Sequence, residues 1–368
     1  MNFKLLLGAL TSALLFSACS TSFLKYEKAD QLKKNEEFEE AVKIVKQPEK
    51  AEEPSAPAPT AEKTEPAKAV SSSAPAKTTV KAPAKPAAAV KAATPAKKTD
   101  KAKGKKMEEK SNASDVAVRQ PELEDSTGFN GRRPILDPFR EGEEVVHDVH
   151  YFKVSAGELR MKVEPFATVN SRKAYTFAVE IKTSSLFSTF YSVEDRVETF
   201  VDFEDLVPRV FQLHVKESGQ LREAKMLFDT DKGVATFWEK KVTKEDGEKE
   251  KKETWDILPY TQNVYSAIFY MRNFQWETGK EYSFRVGNDK ENLVFSGKAI
   301  RREVLETKLG PMKAIVVQPN ITLKGKFKPI GDNFIWLSDD DRRYILRIES
   351  KIKIGTLISE VVEIKPGR

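Results

Sequence analysis

Cysteine and histidine are scarce in this sequence. Its 368 residues include one cysteine, Cys19, and three histidines. A single thiol excludes an intramolecular disulfide, and the sequence has no phosphate-binding glycine loop and no Gly-x-Ser-x-Gly motif. His147 and His150 are three positions apart, so on a strand they point to opposite faces and do not form a joint metal site. We therefore predict a protein that is not an enzyme, with no catalytic residue, no metal and no cofactor.

A long apolar run is also missing at the N-terminus. The apolar stretch 5–16 has about 12 residues, whereas a membrane-spanning helix needs about 20. Lys4 precedes the stretch, and the small residues Ser17 and Ala18 lead to Cys19, which is the pattern of an export signal. The last four of these residues, Phe-Ser-Ala-Cys, resemble the lipobox of bacterial lipoproteins. The resemblance implies cleavage after residue 18 and acylation of Cys19, for example with palmitate.

The residue after the cysteine bears on the destination of the protein. Ser20 resembles the neutral residue that sends many lipoproteins of Gram-negative bacteria to the outer membrane, and retention in the inner membrane is the open alternative. Two or more acyl chains hold a protein stably on a bilayer. We predict a protein that its N-terminal lipid anchors to the outer membrane, facing the periplasm.

Aromatic residues are absent from residues 48–127, which are rich in Ala, Pro and Lys. Such a composition predicts a disordered linker. Residues 61–110 contain 13 Lys and five acidic residues, an excess of eight positive charges that is larger than the net charge of +6 for the whole chain. The remainder is nearly neutral, which argues against nucleic-acid binding. We expect a signal peptide at 1–18, a lipidated N-terminus with a short helix at 19–47, and a globular domain at 128–368.

The short helix is predicted from an apolar stripe between residues 29 and 45. Its members recur near one face at helical spacing; they are Leu32, Phe38, Ala41, Val42 and Val45. We interpret the segment as an amphipathic stretch next to the membrane, with part of a helical repeat as the alternative.

Strict alternation of apolar and polar residues dominates the chain after residue 128. Examples are the runs starting at Tyr175, with Phe177 and Val179, and at Phe211, with Leu213. A period of two predicts half-buried antiparallel strands. We predict a mainly β fold with one principal helix and a large curved, half-barrel-like antiparallel sheet. The charged run 240–253 is interpreted as a solvated loop.

The principal helix is predicted between Pro259 and Arg272. Its core stripe follows helical spacing, with Thr261 or Asn263 as N-cap; the stripe consists of Val264, Ala267, Ile268 and Met271. Four aromatic residues lie beyond the stripe, and they are Tyr260, Tyr265, Phe269 and Tyr270. These rings either complete the core between helix and sheet or face a cavity that binds an apolar or amphipathic molecule.

Several segments resemble an exported bacterial family, domain of unknown function 3108. They include the openings at residues 139–143 and 149–158, the segment Ser188–Arg196, the helix segment Val264–Arg272 and the segment Ile335–Asp340. The resemblance covers about residues 136–364. It implies no activity, because the family has no established one, and it implies a curved-sheet envelope protein loosely similar in fold to the half-barrel lipoprotein carriers of the periplasm.

Two arginines fall within these family-like segments beside aromatic residues. Arg196 and Arg272 are therefore candidate ligand-facing residues, together with Tyr265, Phe269 and Tyr270. The alternative is structural, with ion pairs to acidic neighbours such as Glu194, Asp195 or Glu198.

Two classes of function remain open. The first is a binding or assembly module for an envelope lipid, a cell-wall polymer or an envelope protein. The second is a hydrolase of envelope polymers that uses paired carboxylates; the candidates are Glu141, Glu143, Glu194, Asp195 and Asp339–Asp341. The three consecutive aspartates are interpreted as turn residues, with calcium binding as the alternative.

Overall fold

The computed structural model describes residue 32 and residues 34–47, 136–152, 154–243, 245–288, 290–322, 333–352 and 355–368. The predicted signal peptide, Cys19 and the linker lie outside the described residues. The corresponding domain boundaries stay predictions.

The described residues form a 15-stranded antiparallel sheet and three short α-helices. The strands are β1 (Ile44–Lys46), β2 (Glu143–Tyr151), β3 (Val154–Val169), β4 (Arg172–Thr183), β5 (Val193–Asp202), β6 (Pro208–Glu217), β7 (Gln220–Asp229), β8 (Val234–Thr243), β9 (Gly247–Asp256), β10 (Glu281–Asn288), β11 (Glu291–Thr307), β12 (Gly310–Thr322), β13 (Asn333–Ser338), β14 (Ile345–Ile352) and β15 (Gly355–Pro366). The helices are α1 (Glu36–Ala41), α2 (Ser185–Ser188) and α3 (Val264–Tyr270), and α3 continues into a 3₁₀ turn, Met271–Asn273.

Neighbouring strands follow one another in the chain almost throughout the sheet. Strands β10 to β15 lie side by side in chain order, β15 pairs with β2, and β2 to β9 follow in chain order. The edges are β9 and β10, so the sheet is not closed into a barrel. Helix α3 contacts β4, β5 and the edge strand β10. Because these strands are far apart in the order, the sheet must curve around the helix, which confirms the predicted fold class.

The inner face of the sheet, defined as the face against α3, contains the main core. The alternating residues Phe177, Val179, Phe211 and Leu213 are all buried there, as a period of two requires. Helix α3 begins with a capping box at the predicted N-cap Asn263, whose side chain accepts hydrogen bonds from the backbone N–H groups of residues 265 and 266. Local pattern and tertiary packing agree over this part of the chain.

The charged run 240–253 forms strands rather than the predicted loop. It belongs to the hairpin β8–β9, which is hydrogen-bonded along its whole length from Val234↔Asp256 to Thr243↔Gly247. Strand β9 is an edge strand, and its exposed Lys and Glu side chains protect that edge against pairing with other chains. Charge therefore marks solvent exposure here and does not prevent the strand from forming.

The predicted N-terminal helix is shorter than expected. It ends after Ala41, because Val42 has an extended backbone conformation (φ −130°, ψ 119°). The following residues form β1, which pairs with the end of β3 through Ile44↔Val169. Residues 35–47, named the N-terminal strap below, are thus part of the sheet structure.

The strap packs on the outer face of the sheet, opposite α3. Phe38 and Val42 are 1% and 4% exposed. They join a small second core, whose other members are Ala167, Val169, Ala174, Phe200, Val210 and Trp238. A bulge in β3 between Glu164 and Ala167 reverses the alternation of that strand. Ala167 therefore faces outward and contributes to this second core.

Candidate functional site

The aromatic residues of α3 are buried against the inner face. The ring of Phe269 stacks on Phe177 with 4.2 Å between centroids and 5° between planes, and Tyr265 stacks on Phe211 at 5.6 Å. Tyr265, Phe269 and Tyr270 are 6%, 1% and 8% exposed. The structure places these three rings in the core between helix and sheet. Ligand contact by them stays a prediction, and it would require α3 to move off the sheet.

Arg272 lies in a buried ion cluster. Its Nη1 donates to Oε1 of Glu143 at 2.6 Å, and Nη2 of Arg342 donates to Oε2 of the same carboxylate at 2.6 Å. The side chains of Arg272 and Glu143 are 3% and 1% exposed. Arg272 also donates to the backbone oxygen of Pro138 at 3.2 Å. These contacts tie the end of α3 to β2 and to the β13–β14 turn, which is a structural role.

The aspartate cluster forms the turn between β13 and β14. Oδ1 of Asp340 accepts hydrogen bonds from the backbone N–H groups of Arg342 and Arg343, each at 2.9 Å. Asp339 pairs with Arg302 at 3.1 Å. Short-range bonds of this kind are the usual use of Asp in turns.

The other nominated carboxylates are dispersed. Glu141 accepts from the backbone N–H of Phe166 at 2.7 Å, and Glu143 belongs to the buried ion cluster. Glu194 and Asp195 are consecutive on β5, so they point to opposite faces. Glu194 is exposed, whereas Asp195 is buried. The described residues therefore do not gather these nominated acids into one groove.

Asp195 is the most strongly perturbed of these acids. Its Oδ1 accepts from the backbone N–H of Lys216 at 3.2 Å, and the side chain lies on the inner face. Burial, followed by the charge of Glu217, raises the pKa of Asp195 to about 7. The carboxyl group is therefore partly protonated at neutral pH.

Arg196 lies on the outer face in a network of charges. It pairs with Glu198 at 2.7 Å and with Glu164 at 2.5 Å, and it also contacts Glu180. Lys46 of the strap donates to Glu198 at 2.6 Å. Although burial opposes ionisation, the hydrogen bonds from Lys46 and Arg196 hold the pKa of Glu198 below its ordinary value. The predicted pair of Arg196 and Glu198 is present, and it links the strap to β5.

A polar groove of about 580 Å³ lies on the outer face between the strap and strands β5 to β9. This volume is within the range of small-molecule sites. The groove is lined by side chains of both the sheet and the strap; they include Gln212, His214, Lys225 and Lys240 on the sheet and Asn35 and Glu37 on the strap. Its charged walls suit a polar partner rather than an acyl chain.

His147 and His214 have different environments. His147 is fully buried, with Nδ1 2.9 Å from Oγ of Ser359 and Nε2 2.7 Å from the backbone oxygen of Ile345. Burial lowers the pKa of His147 to about 4, so the ring is neutral at pH 7. His214 is half-buried in the groove, where its hydrogen bond with Glu223 at 2.6 Å raises its pKa. His214 can therefore carry a charge near neutral pH.

The sequence analysis missed the groove and the second core beneath the strap. One signal was available, because β5 and β6 carry apolar residues on both faces. Phe200 and Val210 are fully buried on the outer face, next to strand positions whose inner-face residues already fill the main core. Strands with two apolar faces are covered on both sides.

A comparison with protein families gives a match over residues 146–362 to the family described as "Protein of unknown function (DUF3108)". The chain belongs to this family. The family has no assigned function, so membership of DUF3108 identifies a class of domain and no activity. No curated protein matches the sequence.

Solved structures resemble this DUF3108 member only distantly. A β-barrel-like protein of domain of unknown function DUF1849 from Brucella abortus has 9% identity and a TM-score of 0.39, and the match covers 62% of this chain and 98% of that chain. A protein from Parabacteroides distasonis, provisionally named a lipoprotein, has 14% identity and a TM-score of 0.27, with 62% and 97% covered. These similarities carry no argument about function. Within the described residues, no helix is long and apolar enough to cross a membrane.

Proposed function

We propose that this protein is an exported bacterial lipoprotein with a non-catalytic binding or assembly domain. Its Cys19 is acylated after removal of residues 1–18, and the lipid holds the domain at the outer membrane, facing the periplasm. The observation that carries the proposal is the groove on the outer face, because one of its walls is the strap. The strap begins 16 residues after Cys19, so the candidate binding site lies close in the sequence to the proposed membrane anchor.

The chemistry of the groove indicates the class of partner. Its side chains offer both donors and acceptors, for example Lys225, Gln212 and Glu37. Such a surface suits a polar polymer or a protein segment that carries both kinds of group. Among the envelope components considered, a cell-wall polymer or an envelope protein fits better than a lipid tail. The proposed activity needs no metal, no cofactor and no nucleic acid.

The hydrolase alternative is supported by one observation, the raised pKa of Asp195. A general acid benefits from such a pKa. However, glycosidic hydrolysis needs two carboxyl groups facing the scissile bond. Asp195 is buried beside α3, on the face opposite the groove. The binding function therefore explains the described geometry better.

Replacement of the single cysteine tests the anchoring. Cys19→Ala should remove the palmitate label and release the protein from the membrane fraction, because no thiol remains for acylation. Metabolic labelling followed by membrane fractionation measures both effects. Ser20→Ala is the control and should keep the label. Labelled, membrane-bound Cys19→Ala protein would refute the lipoprotein assignment.

Filling the groove tests the binding function. Gln212→Trp places a large side chain on the groove floor, and Trp is well tolerated in strands. We expect at least a tenfold loss of affinity for the partner, measured by co-sedimentation with isolated cell-wall polymer and by cross-linking to envelope proteins. Lys182→Trp, on an exposed part of β4 outside the groove, should bind as the wild type does. Equal binding by both variants would exclude the groove as the site.

A further inference from the structure

The described residues on either side of the predicted linker contact the same point of the domain. At its start, the backbone N–H of Gln47 donates to the backbone oxygen of Phe166 at 3.1 Å. On the other side, 14 residues after its predicted end, Glu141 accepts from the backbone N–H of Phe166 at 2.7 Å. Phe166 lies in the β3 bulge, which frees these two backbone groups from the ladder with β4. Both flanks of the linker are therefore fastened to one residue.

Because the strap contacts the domain, the shorter connection between lipid and domain runs through the strap and not through the linker. Only 16 residues separate Cys19 from the start of the strap at Asn35, whereas 117 separate Cys19 from Leu136. At about 3.3–3.6 Å per extended residue, the shorter path spans at most about 55 Å and the longer one about 400 Å. With the strap docked, the linker does not set the distance to the membrane.

We propose that the second core on the outer face is a docking site for the chain's own strap, and that this non-covalent contact holds the domain close to the membrane. The inference rests on the proposed acylation of Cys19. Residues 35–47 occupy this docking site. The linker is then a side loop and is not the connection that holds the domain to the lipid.

The contacts of the strap are numerous and complementary. Phe38 packs edge-on against Trp238 with 5.7 Å between centroids. Glu39 pairs with Lys225 at 2.5 Å, and Glu37 accepts from Nε1 of Trp238 at 3.0 Å. The acidic helix thus meets lysines of the sheet, while β1 extends the ladder of β3. An amphipathic acidic helix followed by a strand is the ligand that this surface fits.

Cleavage of the linker in the full-length lipidated protein tests the proposal. The recognition sequence of a site-specific protease is inserted after Ser72, and the protein is bound to phosphatidylethanolamine–phosphatidylglycerol vesicles. After cleavage, the C-terminal fragment should stay with the vesicles, because the strap still holds it. The same recognition sequence inserted after Ser22 is the control, and its cleavage should release the domain.

A disulfide between the strap and the sheet makes retention of the cleaved fragment independent of the rate at which the strap dissociates. Ile44 and Val169 are directly opposite in the β1–β3 ladder and pack in the same small core. In the variant I44C/V169C, a disulfide should form in the membrane-bound protein. It should retain the cleaved fragment until a reductant is added.

Charge in the second core should abolish retention. Phe38→Asp places a carboxylate in a buried position, so the cleaved fragment should leave the vesicles, whereas Ala41→Asp, on the exposed side of α1, should keep it. Circular dichroism of the released fragment verifies that the sheet is folded.

Release of the wild-type fragment together with failure of the I44C/V169C disulfide would overturn the proposal. Absence of the uncleaved protein from the vesicles would instead refute acylation, and co-elution of both cleaved fragments in solution would still report docking.

Discussion

Arg272→Met should lower the free energy of unfolding by about 3–5 kcal/mol, which is the usual cost of removing one partner from a buried ion pair. Glu143 would keep its bond to Arg342, but it would lose the fully buried partner that also binds Pro138. Methionine is similar in length to arginine, so the loss of stability reports the removal of one of the two arginine partners of Glu143 more than missing volume.

Urea unfolding followed by fluorescence measures this loss. Arg196→Met is the matched control, because Arg196 is partly exposed in an outer-face network, where ion pairs contribute about 0–1 kcal/mol. The double variant Glu143→Leu with Arg272→Met should recover part of the stability, since it removes the buried charge altogether. Equal effects of the two single arginine variants would contradict the structural role assigned to Arg272.

Asp195→Asn should stabilise the protein at alkaline pH and leave it unchanged near pH 4. The pKa of Asp195 is about 7 in the folded protein, against its ordinary value of 3.8 in the unfolded chain. Between these values the unfolded chain releases a proton that the folded chain keeps. The free energy of unfolding therefore falls by about 1.4 kcal/mol per pH unit as pH rises. Asparagine does not ionise, and its oxygen can still accept from the backbone N–H of Lys216.

The difference between variant and wild type is measured by urea unfolding at pH 4, 6 and 8. This difference should grow to about 4 kcal/mol at pH 8. Neighbouring charges modulate it, since Glu217 raises the pKa of Asp195 whereas His214 and Arg222 lower it. Glu194→Gln is the control, because it makes the same kind of substitution at an exposed position on the other face of β5. A pH-independent difference for Asp195→Asn would contradict the buried, raised-pKa carboxyl group.

The predictable parts of the fold are those with a local cause. Alternation located the inner-face strands, and helical spacing with an Asn263 N-cap located α3. Both signals depend on neighbours within a few residues, so they can be recognised without knowing the tertiary structure. The helix before the linker was predicted too long, because the pairing of β1 with β3 overrides the apolar spacing after Ala41.

The candidate site was less predictable, because its contacts join distant segments. Arg272 and Glu143 are 129 residues apart in the chain, and Trp238 and Glu37 are 201 apart. In each pair, the residues that surround one partner in the chain give no indication of the other partner. The two nominated arginines look alike in the sequence, yet one is buried at the end of α3 and Arg196 lies at the outer face.

The sequence alone predicts an export signal with its cysteine, the change from an Ala/Pro/Lys-rich segment to alternating strands, and the mainly β fold with one principal helix. These features follow from local periodicity and composition. Three features became visible in the folded protein alone: the rings of α3 complete the core, the strap before the linker joins the sheet, and a polar groove lies between strap and sheet. This is because burial and docking depend on which surfaces, formed by segments distant in the chain, come into contact. In this protein a bulge in β3 and the curvature of the sheet determine which of these surfaces are in contact.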